Sequence, residues 1–225
     1  MGGGGFPIDI LLFGMVAAFL VLRLRGILGR KTGFERPPQG EAGPDGAAAP
    51  GLVRPAVVSL EKTEAAAPAR ALPDPGSAAG QALARMRGVD PQFDAQHFLA
   101  GAEGAFGMIV TAYAAGDRVA LRPLLSDEIY AAFEGAITGR ETAGETQRSE
   151  IRSIETVAVE EAVLTGTQAA ITVRFVSDQI AETLDKAGKP VAGTDAVTEL
   201  VDLWTFERDL SQPDPAWRLS AARSG

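Results

Sequence analysis

The residue types that usually carry chemistry are scarce in this chain, and their spacing matches none of the common catalytic motifs. The sequence has one histidine, His97, and no cysteine. A single imidazole with no second histidine and no thiol makes neither a typical zinc site nor a histidine-activated nucleophile. The glycine-rich segment GAEGAFG, residues 101–107, fits neither the dinucleotide-binding spacing nor a phosphate-binding loop. We therefore expect no metal, no nucleotide and no other cofactor.

A cluster of basic residues directly follows one apolar run. Residues 6–22, FPIDILLFGMVAAFLVL, contain a single charged residue, Asp9. Four basic residues come closely after this run: Arg23, Arg25, Arg30 and Lys31. Basic side chains beside a bilayer attract anionic lipid headgroups by about 1 kcal/mol each. We predict that these four residues contact lipid headgroups.

The apolar run predicts a single transmembrane helix over residues 6–22. Its seventeen residues give about 26 Å of helix, which is near the lower limit for a span of the bilayer core. The basic residues follow the helix and none precedes it, so the positive-inside rule places the remainder of the chain in the cytoplasm. The pattern does not fit a cleaved signal peptide well, because the charge lies on the wrong side of the apolar core. A buried helix or an interfacial helix remains an alternative.

The charge of the chain is unevenly distributed along its length. Residues 1–36 carry five basic and two acidic side chains, residues 37–89 carry five of each, and residues 90–225 carry eleven basic and twenty-two acidic. The net charges of the three parts, +3, 0 and −11, add up to the total of −8. A domain with this charge would repel a phosphate backbone, so we expect no nucleic-acid partner.

The composition divides the chain into five segments. We predict a short non-cytoplasmic amino terminus (1–5), the transmembrane helix (6–22), a basic juxtamembrane segment (23–36), a disordered linker (37–88) and a carboxyl-terminal domain (89–225). The linker contains eight prolines and many alanines and glycines, and it lacks sustained periodicity. As a flexible coil of its length, it would reach about 40 Å.

The carboxyl-terminal segment has a helical pattern first and a strand pattern afterwards. One helix is predicted after Asp90 or Asp94, with a buried face formed by Phe98, Ala102, Ala105, Phe106, Ile109 and Tyr113. Three glycines weaken this helix and suggest that another backbone approaches it closely: Gly101, Gly104 and Gly107. A second helix is predicted to begin at Ser126.

From about Ile151 the apolar residues recur every second position, which predicts strands. Gly166 marks a turn between two of them, and Gly188 marks a second turn. A last strand is predicted from Ala216. Helices followed by an antiparallel sheet of about four strands indicate an α+β domain with the helices on one face.

Several long blocks of the sequence resemble one known family. These are LRLRGILGRKTGFERPP from Leu22, DPQFDAQHFLAGAEGAFGMIVTAYAAGDRVALRPLLSDEIYAAF from Asp90, AITVRFVSDQI from Ala170 and VDLWTFERDLSQPDPAWRLSAAR from Val201. They are similar to the bacterial TimA group, the alphaproteobacterial relatives of subunit forty-four, the tether of the mitochondrial inner-membrane translocase. The long amino-terminal region with which the mitochondrial protein recruits the import motor has no counterpart here, so chaperone recruitment is not implied.

The resemblance implies a cystatin-like cone of the kind also found in nuclear transport factor two. In this fold two or three helices pack on a curved antiparallel sheet and enclose an apolar hollow that accepts acyl chains or extended apolar peptide. The candidates for lining it are Phe106, Ile109, Tyr113, Phe133, Phe175, Trp204 and Trp217. Each of them is alternatively an ordinary core residue.

The same fold also includes isomerases and epoxide hydrolases that use an aspartate with a tyrosine in the hollow. Asp117 and Asp202, with Tyr113 and Tyr130, are the residues that fit such a scheme. Asp117 follows a helix-breaking glycine, which is typical of an N-cap, and Asp202 is predicted on the strand face opposite the apolar one. We therefore predict that the protein is not an enzyme.

The resemblance and the apolar run together predict an adaptor anchored in the bacterial inner membrane by a single pass. Its cytoplasmic domain would bind apolar protein segments or lipid in support of protein translocation, insertion or membrane-complex assembly. Expected partners are membrane lipids, translocase or insertase subunits and client proteins. A lipid-binding or lipid-sensing protein is the alternative, and an enzyme on a small apolar substrate is a third.

Overall fold

The computed structural model describes residues 68–225, in which four helices pack against a five-stranded sheet. The elements in chain order are β1 (Ala69–Ala71), α1 (Ala78–Val89), α2 (Ala95–Ala115), α3 (Arg118–Leu121), α4 (Asp127–Ala143), β2 (Thr146–Thr165), β3 (Gln168–Leu184), β4 (Pro190–Asp209) and β5 (Arg218–Ser224). The predicted transmembrane helix, the juxtamembrane segment and most of the predicted linker lie outside the described residues.

The strands are ordered β1-β2-β3-β4-β5, so every strand pairs with its neighbour in the chain. β1 runs parallel to β2, and the other three pairs are antiparallel. The predicted fold class, α+β with helices against a curved antiparallel sheet, is confirmed. The fifth strand is the short β1, which comes from a region without a strand pattern in the sequence.

The curvature of the sheet arises in its long strands. The pairing of β2 with β3 shifts register three times, between Ile151 and Ser153, between Ile154 and Thr156, and between Val159 and Glu161. Each extra residue in one strand bends it and increases its twist. β2 is therefore bent where it contacts α1 and α2, and the core lies between these helices and the inner face of the sheet.

The two long helices begin where the sequence predicts them. Asp94 caps α2, with its carboxylate accepting a hydrogen bond from the N–H of His97, and Ser126 caps α4 by accepting from the N–H of Ile129. Gly116 and Gly144 end these helices in the left-handed conformation, which glycine adopts without steric cost.

The structure corrects the boundary between the predicted linker and the domain. β1 and α1 lie within residues 37–88, so ordered structure begins well before residue 89. α1 buries Ala82, Leu83 and Met86, and the Asp90 carboxylate that follows it pairs with Arg208 at 3.1 Å. The prediction failed because a helix of only three turns shows few repeats of its apolar face, and because an alanine-rich composition is common to linkers and short helices.

The structure also corrects the expected role of the glycines in α2. A Cβ atom added at Gly101, Gly104 or Gly107 would meet nothing within 4 Å, so no other backbone approaches there. α2 is long and apolar enough to cross a membrane by composition, and among residues 68–225 it alone has this property. Its inner face is nevertheless part of the core, where Phe98, Leu99, Ala102, Phe106, Ile109 and Ala112 are buried.

Candidate functional site

The residues predicted to line an apolar hollow fall into three groups, and the first lies in the centre of the core. Phe106, Ile109, Phe175 and Trp204 are almost completely buried. The rings of Phe106 and Phe175 stack with centroids 4.4 Å apart, and Trp204 meets Phe106 edge-on at 4.7 Å. Aromatic pairs in these geometries stabilise the fold beyond the area they bury. These four side chains therefore join α2 to β3 and β4.

The second group connects the end of α2 to α4. Tyr113 and Phe133 are partly buried, and their ring centroids lie 4.8 Å apart. Arg140 lies over the Tyr113 ring at 5.2 Å and donates hydrogen bonds to the carbonyl oxygens of Tyr113 and Ala114, at 2.8 and 3.2 Å. Burial raises the pKa of Tyr113, and the charge of Arg140 partly opposes that shift. The guanidinium thus satisfies carbonyl groups at the carboxyl end of α2.

Trp217 forms the third group, together with two residues near the start of α2. Its ring lies 4.7 Å from Phe98 and 5.9 Å from Phe93, and Phe98 also contacts Phe206 of β4. The structure therefore spreads the seven predicted residues along the length of α2. The headgroup contacts predicted for Arg23, Arg25, Arg30 and Lys31 lie outside the described residues.

The four residues considered for catalysis have separate partners. Asp117 accepts a hydrogen bond from the N–H of Ala120 at 2.9 Å, which confirms its interpretation as an N-cap. The Tyr130 ring lies under the Arg122 guanidinium, 4.8 Å from its centroid, whereas Tyr113 contacts Phe133 and Arg140. These contacts give the three side chains structural roles.

The prediction for Asp202 is wrong, because this residue lies on the helix-facing side of the sheet. Asp202 is directly opposite Phe175, and Trp204 follows two positions later in β4. Residues directly opposite one another, and residues two apart in one strand, share a face. Phe175 and Trp204 both contact Phe106 of α2, so the Asp202 carboxylate points to the same side.

A short polar row accompanies Asp202 on this face, and sequence reasoning missed it. The Gln179 amide donates to Asp202 Oδ2 at 3.2 Å and to Ser177 Oγ at 2.9 Å. Ser177 is fully buried and Gln179 is 6% exposed. The signal was available in the sequence, since positions 175, 177 and 179 of one strand alternate onto the same face. Burial raises the pKa of Asp202 to about 6, and the hydrogen bond from Gln179 opposes the shift.

An open depression of about 570 Å³ lies between α3, α4 and β5. Its lining residues are Arg118, Val119, Arg122, Pro123, Tyr130 and Arg218. Each arginine already has an acidic neighbour: Glu141 lies 2.8 Å from Arg118, Asp127 lies 2.6 Å from Arg122, and Asp214 lies 3.7 Å from Arg218. The three positive charges are therefore balanced locally, and the depression is not a strong anion site.

Metal ligands do not cluster in the part of the chain that the structure describes. Among residues 68–225 no group of three or more histidine, aspartate or glutamate side chains is arranged to hold an ion. The predicted residues instead form an aromatic core, and the partly exposed carboxylate of Asp202 lies at its edge.

Comparison with known proteins gives one family match. The model of the family described as "Tim44-like domain" matches residues 79–224. No curated protein matches the chain.

Solved structures similar to the chain share little sequence with it. The intermembrane space region of the chloroplast protein ARC6 is 11% identical, covers 60% of this chain and 98% of its own, and has a TM-score of 0.43. A putative dehydratase of the NTF2-like family from Streptomyces avermitilis is 14% identical and covers 55% of this chain and 92% of its own, with a TM-score of 0.32. A putative ketosteroid isomerase from Shewanella frigidimarina is 13% identical, with coverages of 54% and 92% and a TM-score of 0.27.

Proposed function

The chain belongs to the family of Tim44-like domains, and from this premise we propose that it is an adaptor anchored in the bacterial inner membrane. Its cytoplasmic domain binds apolar protein segments in support of protein translocation, insertion or membrane-complex assembly. The family match over residues 79–224 is the observation that carries the proposal, because it covers nearly all of the described residues from α1 to β5. The proposal assigns the protein no catalytic role.

The anchor in this proposal is the apolar run 6–22. The run has the length and composition of a single span, and its basic residues follow it. Arg23, Arg25, Arg30 and Lys31 then contact headgroups on the cytoplasmic side. The polypeptide should accordingly stay in membranes washed with alkaline carbonate, and protease outside spheroplasts should leave residues beyond 90 intact. Release by carbonate, or digestion from outside, would contradict this topology.

The junction between the amino-terminal part of the chain and the domain is residues 69–71, which contact both the sheet and a helix. β1 adds to the edge of β2, with Ala69, Arg70 and Ala71 opposite Thr156, Val157 and Ala158. The guanidinium of Arg70 donates two hydrogen bonds to Glu103 of α2, at 3.0 and 2.8 Å. Because the junction contacts both the sheet and a core helix, the whole domain follows the tether as one body.

The mechanism we propose is an increase of local concentration. Since β1 and α1 belong to the domain, the flexible linker of this proposal comprises residues 37–67, and a coil of that length would reach about 30 Å. A tether of this reach holds a binding domain at an effective concentration that approaches the millimolar range. Weak contacts with apolar segments then suffice for the adaptor to act at the membrane.

The partly exposed aromatic residues of the predicted set are the best candidates for contact with a client. Tyr113, Phe133 and Trp217 pack against the core and keep part of their surface accessible, whereas the other four are buried by their neighbours. Exposed aromatic side chains supply much of the free energy of protein association. We propose that apolar segments bind where Tyr113 of α2 and Phe133 of α4 meet, whereas Trp217 lies near the other end of α2.

Site-specific photocrosslinking in membranes tests the adaptor function. A benzoylphenylalanine at position 133 should give adducts with translocase or insertase subunits, or with newly made membrane proteins. The control is position 197, where Val197 is 54% exposed on β4, a strand, and not on α2 or α4. Adducts of equal yield at both positions, or adducts with lipid alone, would contradict the proposal.

A lipid-binding role is the second candidate, and the exposure of Val119 favours it. Val119 is 85% exposed and lies beside Arg118 and Arg122 in the open depression. An exposed apolar side chain suits the interface of a bilayer, and the pairing of Arg118 and Arg122 with Glu141 and Asp127 leaves this apolar contact as the main source of affinity. Under this alternative, Val119→Asp should reduce photocrosslinking of α3 to lipid in vesicles without altering the protein adducts at position 133.

A further inference from the structure

The face of the sheet that points away from the helices carries its own apolar patch. Phe175 and Trp204 contact α2, so the residues that alternate with them in β3 and β4 point outwards. The outward residues at the middle of the sheet, which we call the outer patch, are Ala158, Thr172, Arg174, Val176, Val201, Leu203, Thr205 and Arg223. The hydrophobic core that the helices share with the sheet includes none of them.

Leu203 lies at the centre of the outer patch, between two arginines. It is directly opposite Arg174 of β3 on one side and directly opposite Arg223 of β5 on the other. Val176 and Val201 form a cross-strand pair next to this row. The middle of the patch is therefore apolar, with one guanidinium on each side.

The two arginines of the outer patch have no acidic partner in the part of the chain that the structure describes. The ion pairs formed within residues 68–225 include neither Arg174 nor Arg223. Unpaired arginines are unexpected here, because residues 90–225 carry twenty-two acidic and only eleven basic side chains. The acidic residues of the same face lie towards its two ends: Glu161, Asp178, Glu199 and Glu207. A segment with carboxylates beside apolar residues would complement the centre of the patch.

Residues 52–64 of the same chain, which lie outside the described residues, have this composition. The large apolar residues between positions 32 and 67 are Phe34 and five residues close together: Leu52, Val53, Val57, Val58 and Leu60. Glu61 and Glu64 follow them directly. β-Branched residues such as these valines suit an extended segment that packs on a pleated surface.

The chain enters the domain beside the outer patch, which places residues 52–64 within reach of it. β1 pairs with β2 at Thr156 to Ala158, and Ala158 is a member of the patch. Leu203 is three strands away from β1, about 14 Å at the usual strand spacing. The eight residues from Glu61 to Pro68 can span about 27 Å when extended. A segment tethered this closely has a high effective concentration at the patch, which favours it over a second copy of the chain.

We propose that residues 52–64 dock on the outer patch. Their apolar side chains cover Leu203 and its neighbours, and Glu61 and Glu64 lie beside the two arginines. Docking leaves residues 37–52 as the flexible part of the linker, and a coil of that length would reach about 22 Å where residues 37–67 would reach about 30 Å. The contact thus sets how far the domain extends from its anchor. This consequence rests on the proposed function, whereas the contact itself does not.

Disulfide formation between introduced cysteines tests the contact, because the chain has no cysteine of its own. A disulfide forms only when the two Cα atoms come within about 7 Å. In the full chain in detergent, Ser59→Cys should form an intrachain disulfide with Val176→Cys at least fivefold faster than with Met108→Cys. Met108 is the matched control, since it is 55% exposed on α2, on the opposite side of the sheet. Thr205→Cys serves as a second position in the patch in case Val176→Cys does not fold.

The role of the two arginines has its own matched control. Arg174→Gln combined with Arg223→Gln should slow the reaction of Ser59→Cys with Val176→Cys at least threefold. Arg85→Gln combined with Arg87→Gln should leave the rate unchanged, because these arginines are exposed on α1 and also form no ion pair within residues 68–225. Urea unfolding of each variant separates a loss of docking from a loss of folding.

Three results would overturn the inference: equal rates at positions 176 and 108, an unchanged rate without the two arginines, or disulfides only between chains. The last result would assign the outer patch to a second copy of the chain. The reaction in detergent requires neither a membrane nor a client, so its outcome is separate from that of the proposed function. If adducts at position 133 form but the intrachain disulfide does not, only this inference fails. If the disulfide forms but no protein adduct does, only the adaptor function fails.

Discussion

Phe106 of α2 stacks on Phe175 of β3 with ring planes inclined by only 8° and centroids 4.4 Å apart. Both side chains are fully buried, and Trp204 meets each of them edge-on. This stack joins the longest core helix to the middle strand of the sheet, and the contact of Phe98 with Phe206 adds a second aromatic link. The stability of the domain should depend on the stack more than on any exposed contact of α2.

Truncation of this contact should be strongly destabilising. Phe106→Ala should lower the free energy of unfolding by about 3 to 5 kcal/mol, because it removes buried apolar surface and leaves a cavity. Met108→Ala, at a position of the same helix that is 55% exposed, should change it by less than about 0.5 kcal/mol. Urea unfolding followed by tryptophan fluorescence measures both. Equal losses in the two variants would mean that the stacked pair is not central to the core.

The raised pKa of Asp202 predicts a stability that falls as pH rises. The folded state keeps the proton up to about pH 6, whereas an unfolded aspartate loses it near pH 4, so unfolding releases a proton between these values. The ionised carboxylate should therefore cost about 3 kcal/mol above pH 6, and no such cost should exist below pH 4. Asp202→Asn should recover most of this free energy at pH 7.5 and little at pH 4.

Unfolding at the two pH values, with Asp195→Asn as the exposed control, measures this effect. If the gain of Asp202→Asn were the same at pH 4 and at pH 7.5, ionisation of Asp202 would not be its cause.

The ion pair between Arg70 and Glu103 should hold β1 against the domain. The ion pair is partly exposed, so its removal by Arg70→Ala should cost no more than about 1 kcal/mol. Amide hydrogen exchange at residues 69–71 should then become about two- to fivefold faster, while exchange in β3 should not change. Arg87→Ala, on the exposed side of α1, is the control. Faster exchange throughout the sheet would mean that this ion pair stabilises more of the domain than β1.

Two glycine substitutions should act in opposite directions. Gly101→Ala should stabilise the domain by about 0.5 to 1 kcal/mol, because the position is helical, exposed and free of contacts within 4 Å. Gly193→Ala should destabilise it, because this residue has φ +77° and an added Cβ would lie 2.1 Å from the carbonyl oxygen of Ala181. Thermal unfolding distinguishes the two. Stabilisation by Gly193→Ala would contradict the backbone geometry described for β4.

Much of the fold could be predicted from the sequence where local signals were strong. The caps at Asp94 and Ser126 and the turn at Gly166 each have a side chain or conformation that few other residues supply. β1 could not be predicted, because three exposed residues carry no periodicity and pair only through tertiary contact. The bulges in β2 could not be recognised from the sequence either, although they determine which residues face the core.

The prediction for the face of Asp202 was wrong because Val201 and Leu203 make the other face of the strand apolar as well, so alternation alone does not say which face is the inner one. Its strand places Trp204 and Phe206 on the same side, and this pattern was visible in the sequence. A partly buried carboxylate on the core side of a sheet conflicts with the usual preference for exposed charges, and such local conflicts are expected at functional or strained sites.

The parallel pairing of β1 with β2 also determines how the domain would respond to a mechanical load. A pull that arrives along the chain from its amino-terminal side acts on Ala69 first, in the direction of the strand itself. The hydrogen bonds of a parallel pair lie across that direction, so they are strained together in shear and are not opened one at a time. If the protein acts as the adaptor proposed above, this geometry makes the three-residue junction more resistant to a pull along β1 than a pair whose hydrogen bonds open one at a time.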